Sequence, residues 1–333
     1  MNNLQFTLPH KPWRRSYQLQ AVGAKLFESF LASVMHTTMD DVDFENMEEP
    51  TADIPHHLPQ EKLKTFIAFL FMLLNFFLTT ISLSMIHERT TTSPLSDIIL
   101  DNVDPNLNWG LFVSEYLLVI SVNILFVVIV CHKHRFIVLR RLFVIMGLLY
   151  LLRAITMYVT VLPLANDTYY CAPQANTSLS FLLILQRSAT ILSGFGLSMN
   201  EKQVYCGDYI YSGHTVVLVI CYLFIKEYTP RRFFLLHWLT AVIALLGMSF
   251  ILISKAHYTI DVIVAYYVTT RVFWVYHTMA NNKQFKRVGP NNYLARVWWF
   301  PIFKYFERNV NDIVPYRFNL PFQRSMITHC PPV

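Results

Sequence analysis

The stretch SKAHYTIDVIVAYYVTTRVFWVYH, residues 254–277, decides how the chain folds. It opens with His257 and Asp261 and then becomes almost wholly apolar, over a length sufficient to cross a membrane. Polar side chains at membrane depth are costly and commonly mark a functional site. The segment therefore predicts a transmembrane helix whose first turn carries chemistry.

The composition of the whole chain favours a polytopic membrane protein. The 333 residues are 54% hydrophobic and only 14% charged, with a mean hydropathy of +0.37. A soluble domain of this size needs a larger charged surface. The net charge of +6 comes mostly from basic residues beside apolar runs, which favours membrane orientation over nucleic-acid binding. Residues 1–61 lack an early apolar core, so we expect no cleavable signal peptide.

Six spans are predicted. Five have roughly 20 apolar residues each, at 65–86, 111–130, 142–164, 233–253 and 258–276, and a shorter one at 212–225 becomes long enough if 209–211 are counted. A seventh apolar stretch, 179–197, contains Gln186 and Arg187. Six spans leave the basic cluster at 132–141, the loop at 226–232 and the basic tail after Tyr276 on the cytosolic side, whereas a seventh would move that loop and the tail to the lumen. We therefore predict an all-α bundle with cytosolic termini, and a lumenal amphipathic or re-entrant piece at 179–197.

Three regions follow from this topology. Residues 1–60 are predicted to be a cytosolic, partly disordered segment, with an acidic, proline-bearing linker at 39–60. Residues 61–280 form the six-span domain. Residues 281–333 form a basic, aromatic cytosolic tail, in which 283–308 is either an interfacial helix on anionic lipids or a packed cap on the bundle.

Glycosylation and a disulfide are both possible on the predicted lumenal side. The sequons at Asn166 and Asn176 could be glycosylated there. Cys171 and Cys206 fall on the same oxidising side and could form a disulfide.

Two polar stretches are predicted to lie at the lumenal surface of the membrane, CGDYIYSGHT at 206–215 and HYTID at 257–261. Asp261 can accept a hydrogen bond from Nδ1 of His257 on one helix face, which leaves Nε2 as a nucleophile or base. Ser212 can cap the next helix, and His214 can act as an acid toward a leaving oxygen. Together they predict phosphoryl transfer at a lipid headgroup.

Simpler interpretations of these residues stay open. Each histidine alone could be an interfacial anchor, and Asp261 could be only a helix cap. His214, His257 and Asp261 could also form an open three-ligand metal site. Arg153, deep in the third span, either pairs with Glu115 or contacts the substrate phosphate.

The motifs resemble those of the sphingomyelin synthases. CGDYIYSGHT is similar to their third signature motif and HYTIDVIVAYYVTTRVFWVYH to their fourth, while RRLFVIMGLLYLLRAITM fits the second, with Tyr150 and Arg153 in register. The likeness covers roughly residues 65–320 and extends through YHTMANN and LARVWWFPIFKYFERNV.

The resemblance implies a six-span fold of the lipid phosphate phosphatase type, in the Golgi or plasma membrane with its site lumenal or extracellular. It implies transfer of phosphocholine from phosphatidylcholine to ceramide, with no metal or other cofactor. His257 would be the nucleophile, Asp261 its orienting carboxylate and His214 the acid and base. The side chains expected to bind substrate are Arg153, Tyr150, Asp208, Ser212 and Tyr258.

Some features depart from the family pattern or leave alternatives. The first motif appears only as SPLSD, residues 93–97. Ala256 stands where relatives carry an acidic residue, so ethanolamine is an alternative headgroup. A lipid phosphate phosphatase and a non-catalytic lipid-binding or scrambling protein are further alternatives, although the Lys-x6-Arg-Pro of such phosphatases is missing. The expected partners are the lipid substrates and the membrane, with no nucleic acid, and a homo-oligomer stays open.

Overall fold

The computed structural model describes residues 58–90, 93–103, 107, 109–166, 171–173, 180–197, 205–310 and 313–318. The described residues contain α-helices and no β-strand, which confirms the all-α class. Numbered in chain order, the helices are α1 Lys62–Ile86, α2 Trp109–Cys131, α3 Arg135–Val159, α4 Phe181–Ser193, α5 Gly213–Tyr228, α6 Phe234–Ile253, α7 Thr259–Asn281 and α8 Phe300–Glu307. The predicted disorder at 39–60 lies almost wholly outside the described residues.

Among the described residues, four segments are long and apolar enough to cross a membrane. They are Lys62–Arg89, Trp109–Cys131, Arg135–Val159 and Arg231–Ile253, and they contain α1, α2, α3 and α6. α4 has 13 residues, or roughly 20 Å at 1.5 Å per residue. A helix of that length is too short for a hydrocarbon core about 30 Å thick.

α5 is shorter than the sequence predicts. It begins at Gly213 with Ser212 as its N-cap, and Ile210 just before it has a φ of 73°. A β-branched residue at positive φ cannot continue a right-handed helix. The extension of this helix over 209–211 is therefore wrong.

α3 and α7 also begin or end away from their predicted boundaries. α3 starts at Arg135 and stops at Val159 before an extended Thr160, because Pro163 prevents the helix from continuing to residue 164. α7 begins at Thr259 with Tyr258 as its N-cap. His257 therefore precedes the helix, and the prediction that His257 and Asp261 share a helix face is wrong.

Within the described part of the tail, α8 packs on the bundle as a cap. On α8, Phe303 is fully buried and its ring contacts Tyr276 of α7 at 5.1 Å between centroids. Glu307 is fully buried and binds Arg141 of α3 through two hydrogen bonds, of 3.2 and 2.9 Å. Burial alone would raise the pKa of Glu307, but Arg141 outweighs it and holds the pKa below its ordinary value.

The second basic residue of α3 is buried in the same way. Arg140 is 0% exposed and donates to Glu61, at the start of α1, over 2.9 Å. We call the end of the bundle formed by Glu61, Arg140, Arg141 and Glu307 the capped end. Both arginines are thus interior ion-pair partners as well as charges that flank an apolar run.

Candidate active site

The candidate nucleophile lies in the short connection between α6 and α7. α6 ends at Ile253, and Lys255 then adopts a left-handed conformation, with a φ of 52°. The amides of Lys255 and Ala256 donate back to the carbonyls of Leu252 and Ile251, over 3.0 and 3.2 Å. This turn ends α6 sharply and brings His257 to the start of α7.

Asp261 lies beside His257 and is held by backbone amides. One carboxylate oxygen accepts from the amide of Tyr258 at 3.0 Å, and the other accepts from the amide of Ile210 at 2.8 Å. Nδ1 of His257 lies 3.4 Å from the first oxygen, although the angles do not make this contact a hydrogen bond. Asp261 is therefore a helix cap and a neighbour of His257 at once.

His214 lies in the first turn of α5 and also has a carboxylate beside it. The hydroxyl of Ser212 accepts from the amide of Thr215 at 3.4 Å, so the expected N-cap is present. Nε2 of His214 lies 3.5 Å from Oε1 of Glu115, which is fully buried on α2. The sequence indicated the depth of Glu115 but not this neighbour, because the contact joins two helices that are distant in the chain.

The two imidazole rings lie close together. The centroids of His214 and His257 are 6.2 Å apart, and their planes are inclined by 64°. Each ring thus has a buried carboxylate beside one of its nitrogens, and the two rings are near neighbours. This is the arrangement needed for two histidines to act on one phosphate.

Arg153 takes a different partner from the Glu115 that the sequence suggested. Its guanidinium forms an ion pair with Asp208 and lies directly over the backbone of Gly213. A β-carbon at Gly213 would overlap that guanidinium, so the glycine is what allows the approach. Nε of Arg153 and Oδ1 of Asp208 are buried without hydrogen-bond partners. Both atoms stay available to a ligand.

The remaining residues expected to bind substrate have structural contacts. The ring of Tyr150 packs on Phe76 of α1 at 5.0 Å between centroids. The hydroxyl of Tyr258 donates to the carbonyls of Pro163 and Leu164, each 3.2 Å away. Neither tyrosine lines the cleft described below, whereas Asp208 does.

The SPLSD segment acquires a role that the sequence left open. Oδ1 of Asp97 accepts from the Thr259 hydroxyl at 2.7 Å, and Oδ2 accepts from the Thr259 amide at 2.9 Å. The amide of Leu95 donates to the hydroxyl of Tyr258 at 3.0 Å. The segment therefore holds the start of α7, directly after His257.

These elements border a cleft that is partly open to solvent. Its wall includes the carboxylate of Asp208, the amine of Lys255 and the imidazoles of His214 and His257, while Leu83, Leu111 and Ile191 supply an apolar side. Such a wall suits a ligand with a charged head and an apolar body.

Near the cleft, Cys171 and Cys206 form the disulfide that the sequence allowed. Asn166 is only 6% exposed, so its side chain is not accessible for glycosylation in this structure. Asn176 lies outside the described residues. Within the described residues, no three His, Cys, Asp or Glu side chains are grouped to hold a metal ion.

One segment of the chain matches a family model. Residues 205–278 match the family model described as PAP2 superfamily C-terminal. That range contains α5, α6 and most of α7, and with them both histidines of the cleft. The chain is therefore a helical protein with candidate membrane spans that contains a segment similar to the C-terminal part of the PAP2 superfamily.

Relatives that match about four fifths of this chain show the family. The chain is 45% identical over 277 residues to phosphatidylcholine:ceramide cholinephosphotransferase 1 of Caenorhabditis elegans, covering 82% of this chain and 59% of the relative. For enzyme 1 of Homo sapiens the identity is 44%, over 79% of this chain and 64% of the relative. For enzyme 2 of Rattus norvegicus it is 44%, over 81% of this chain and 74% of the relative.

The chain belongs to the phosphatidylcholine:ceramide cholinephosphotransferase family and is an integral membrane protein. It spans only 59% of the length of the nematode relative and 64% of the human one.

Proposed function

We propose that this protein transfers phosphocholine from phosphatidylcholine to the primary hydroxyl of ceramide, giving sphingomyelin and diacylglycerol. The observation that carries the proposal is the 6.2 Å separation of the His214 and His257 rings at one cleft. The names of the relatives supply the two substrates. Neither half of the reaction consumes a nucleotide, because one phosphodiester replaces another.

In the first half of the reaction, Nε2 of His257 attacks the phosphorus of phosphatidylcholine. The bond from phosphorus to the glycerol oxygen breaks, and His214 donates a proton to that oxygen, so diacylglycerol leaves. Asp261 lies beside Nδ1 of His257 and stabilises the positive charge that develops on the ring. The headgroup is left on His257 as a phosphohistidine.

In the second half, the ceramide hydroxyl attacks the same phosphorus. His214 takes the hydroxyl proton, the phosphorus–nitrogen bond breaks, and His257 is restored as sphingomyelin forms. Glu115, 3.5 Å from Nε2 of His214, stabilises the protonated form that links the two halves. A ping-pong reaction of this kind needs only one phosphate position.

The headgroup itself is held beside the histidines. The unpartnered Oδ1 of Asp208 is a candidate contact for the choline cation, and Arg153 holds that carboxylate in place. Ala256 lines the cleft without adding charge. Choline is our assignment, because the names of the relatives specify it, and ethanolamine is the alternative that the experiment below tests.

The proposal includes six spans, with α5 and α7 as the fourth and sixth, cytosolic termini and a cleft that faces the lumen or the exterior. Basic residues at the capped end and a disulfide at the cleft end support this orientation. It keeps 1–60 and 281–333 as cytosolic regions on either side of a catalytic domain at 61–280. The Golgi or plasma membrane is the proposed location.

The test supplies purified protein with ceramide and either phosphatidylcholine or phosphatidylethanolamine, and identifies the product by mass. We expect sphingomyelin from the first donor. Ceramide phosphoethanolamine from the second donor alone would overturn the headgroup assignment. Release of phosphocholine or phosphate that does not depend on ceramide would indicate a phosphatase.

A further inference from the structure

Two helices that border the cleft end in the same kind of turn. After α4, Phe195 has a φ of 57°, and after α6, Lys255 has a φ of 52°. In both turns the amide of the next residue, Gly196 or Ala256, donates to a carbonyl five residues back, over 3.0 and 3.2 Å. Glycine is the usual residue at such a position, because a β-carbon disfavours the left-handed conformation. Both side chains are therefore held at a conformational cost.

Lys255 brings a positive charge to the wall of the cleft. It lines the cleft together with His257, two residues further on. Among the cleft-lining residues that the structure describes, Lys255 is the sole lysine or arginine. Its side chain makes no hydrogen bond or ion pair within the described part of the chain. The nearby Arg153, by contrast, pairs with Asp208 through one nitrogen and is not among the residues that line the cleft.

We propose that Lys255 binds the phosphate of the donor headgroup, and this inference rests on the proposed function. The phosphodiester is an anion, and negative charge increases on its oxygens while phosphorus is transferred. A lysine beside the attacking histidine supplies the positive charge that such a group requires. The turn after α6 thus presents the phosphate ligand and the nucleophile on one short connection.

A simpler role for Lys255 would be to stabilise the end of α6, since a cation there interacts favourably with the helix dipole. The two roles differ in the effect of Lys255→Gly. Glycine relieves the left-handed strain, so it stabilises the fold or leaves it unchanged, but it removes the phosphate ligand. Phe195→Gly is the matched control, because it relieves the same kind of left-handed turn, after α4, without removing a charge.

The experiment uses the purified full-length protein as wild type, Lys255→Gly, Lys255→Met, Lys255→Arg and Phe195→Gly. KM and kcat for phosphatidylcholine, binding of phosphocholine by calorimetry, and thermal unfolding are measured for each. We expect Lys255→Gly and Lys255→Met to weaken phosphocholine binding and to raise KM by about tenfold or more, because each variant loses one charge-assisted hydrogen bond to the phosphate. Lys255→Arg and Phe195→Gly are expected to keep both the phosphocholine affinity and the KM of the wild type.

The outcomes separate this inference from the proposed function. A wild type without transferase activity would refute the function, whereas phosphocholine binding still reports on Lys255. Wild-type KM and phosphocholine affinity in Lys255→Met would overturn the role of Lys255. That variant keeps a side chain of similar length, so it decides the question even if Lys255→Gly does not fold.

Discussion

Asp97 accepts hydrogen bonds from both the amide and the hydroxyl of Thr259, 162 residues further along the chain. The same carboxylate also accepts from the amides of Ile99 and Leu100, at 3.0 and 3.3 Å. Because the first amides of a helix have no partner within it, Asp97 caps α7 from outside. His257 precedes this anchored turn, so its position depends on a loop between α1 and α2.

Asp97→Ala is expected to slow the transfer reaction and to lower the free energy of unfolding by about 1–3 kcal/mol, because partly buried donors lose their acceptor. We expect kcat to fall while KM for the donor changes little, since Asp97 positions His257 and does not contact the lipid. Asp101→Asn, in the same loop but exposed, is the control. Unchanged kcat in Asp97→Ala would show that the anchor does not matter to the site.

Glu115→Gln removes the charge beside His214 and keeps the shape of the side chain. We expect transfer to fall by roughly tenfold or more, because the protonated imidazole loses its stabilising carboxylate. Glu227→Gln, near Asn281 on α7, is the matched control and should stay near wild type. The measurement is sphingomyelin formation from labelled ceramide, and equal rates for the two variants would argue against a catalytic Glu115.

Gly213→Ala places a methyl group where the Arg153 guanidinium lies. The arginine must move, which disturbs its pair with Asp208 and costs about 1–3 kcal/mol of overpacking. We expect lower thermal stability and at least a severalfold loss of transfer. At Gly289, a β-carbon would meet no atom within 4 Å, so Gly289→Ala should have no effect. A Gly213→Ala enzyme with wild-type activity would separate Arg153 from the reaction.

The sequence predicted the components of the site better than their contacts. Charge placement and motif spacing predicted that His214, His257 and Asp261 lie at one end of the bundle. This could be predicted because the membrane side of each segment follows from the local sequence. The Cys171–Cys206 pair followed from the same topology and is confirmed. The six-span count and the catalytic roles stay predictions.

What the sequence missed depends on contacts between distant segments. Glu115 lies beside His214, and Arg153 pairs with Asp208. The sequence indicated how deep Glu115 and Arg153 lie in the membrane but not these two contacts. Backbone conformations also escaped prediction. Ile210 and Lys255 adopt positive φ without being glycine, because bonds such as that from the Ile210 amide to Asp261 hold them there.

A pH dependence is expected at the capped end, where His132 lies between α2 and α3. Burial, with a smaller effect of His134, lowers the pKa of His132 to about 4. The amide of His134 donates to its Nδ1 over 3.1 Å, a bond that requires the neutral ring. An unfolded histidine titrates near 6.5, so as pH falls the unfolded chain takes up this proton first. Stability therefore decreases between about pH 6.5 and pH 4, by about 3 kcal/mol in total.

His132→Gln should remove this contribution. Thermal unfolding of both proteins from pH 7.5 to pH 4.5 isolates it, because every other group titrates equally in the two. Parallel curves for wild type and His132→Gln would contradict the assigned pKa shift.

The central claim is that His257 carries the headgroup during transfer. Headgroup-labelled phosphatidylcholine is supplied without ceramide, the protein is digested at neutral to alkaline pH, and the peptides are analysed by mass. We predict phosphocholine on His257, its release as sphingomyelin when ceramide is added, and neither event in His257→Ala. Sphingomyelin formed by His257→Ala at the wild-type rate would contradict the claim.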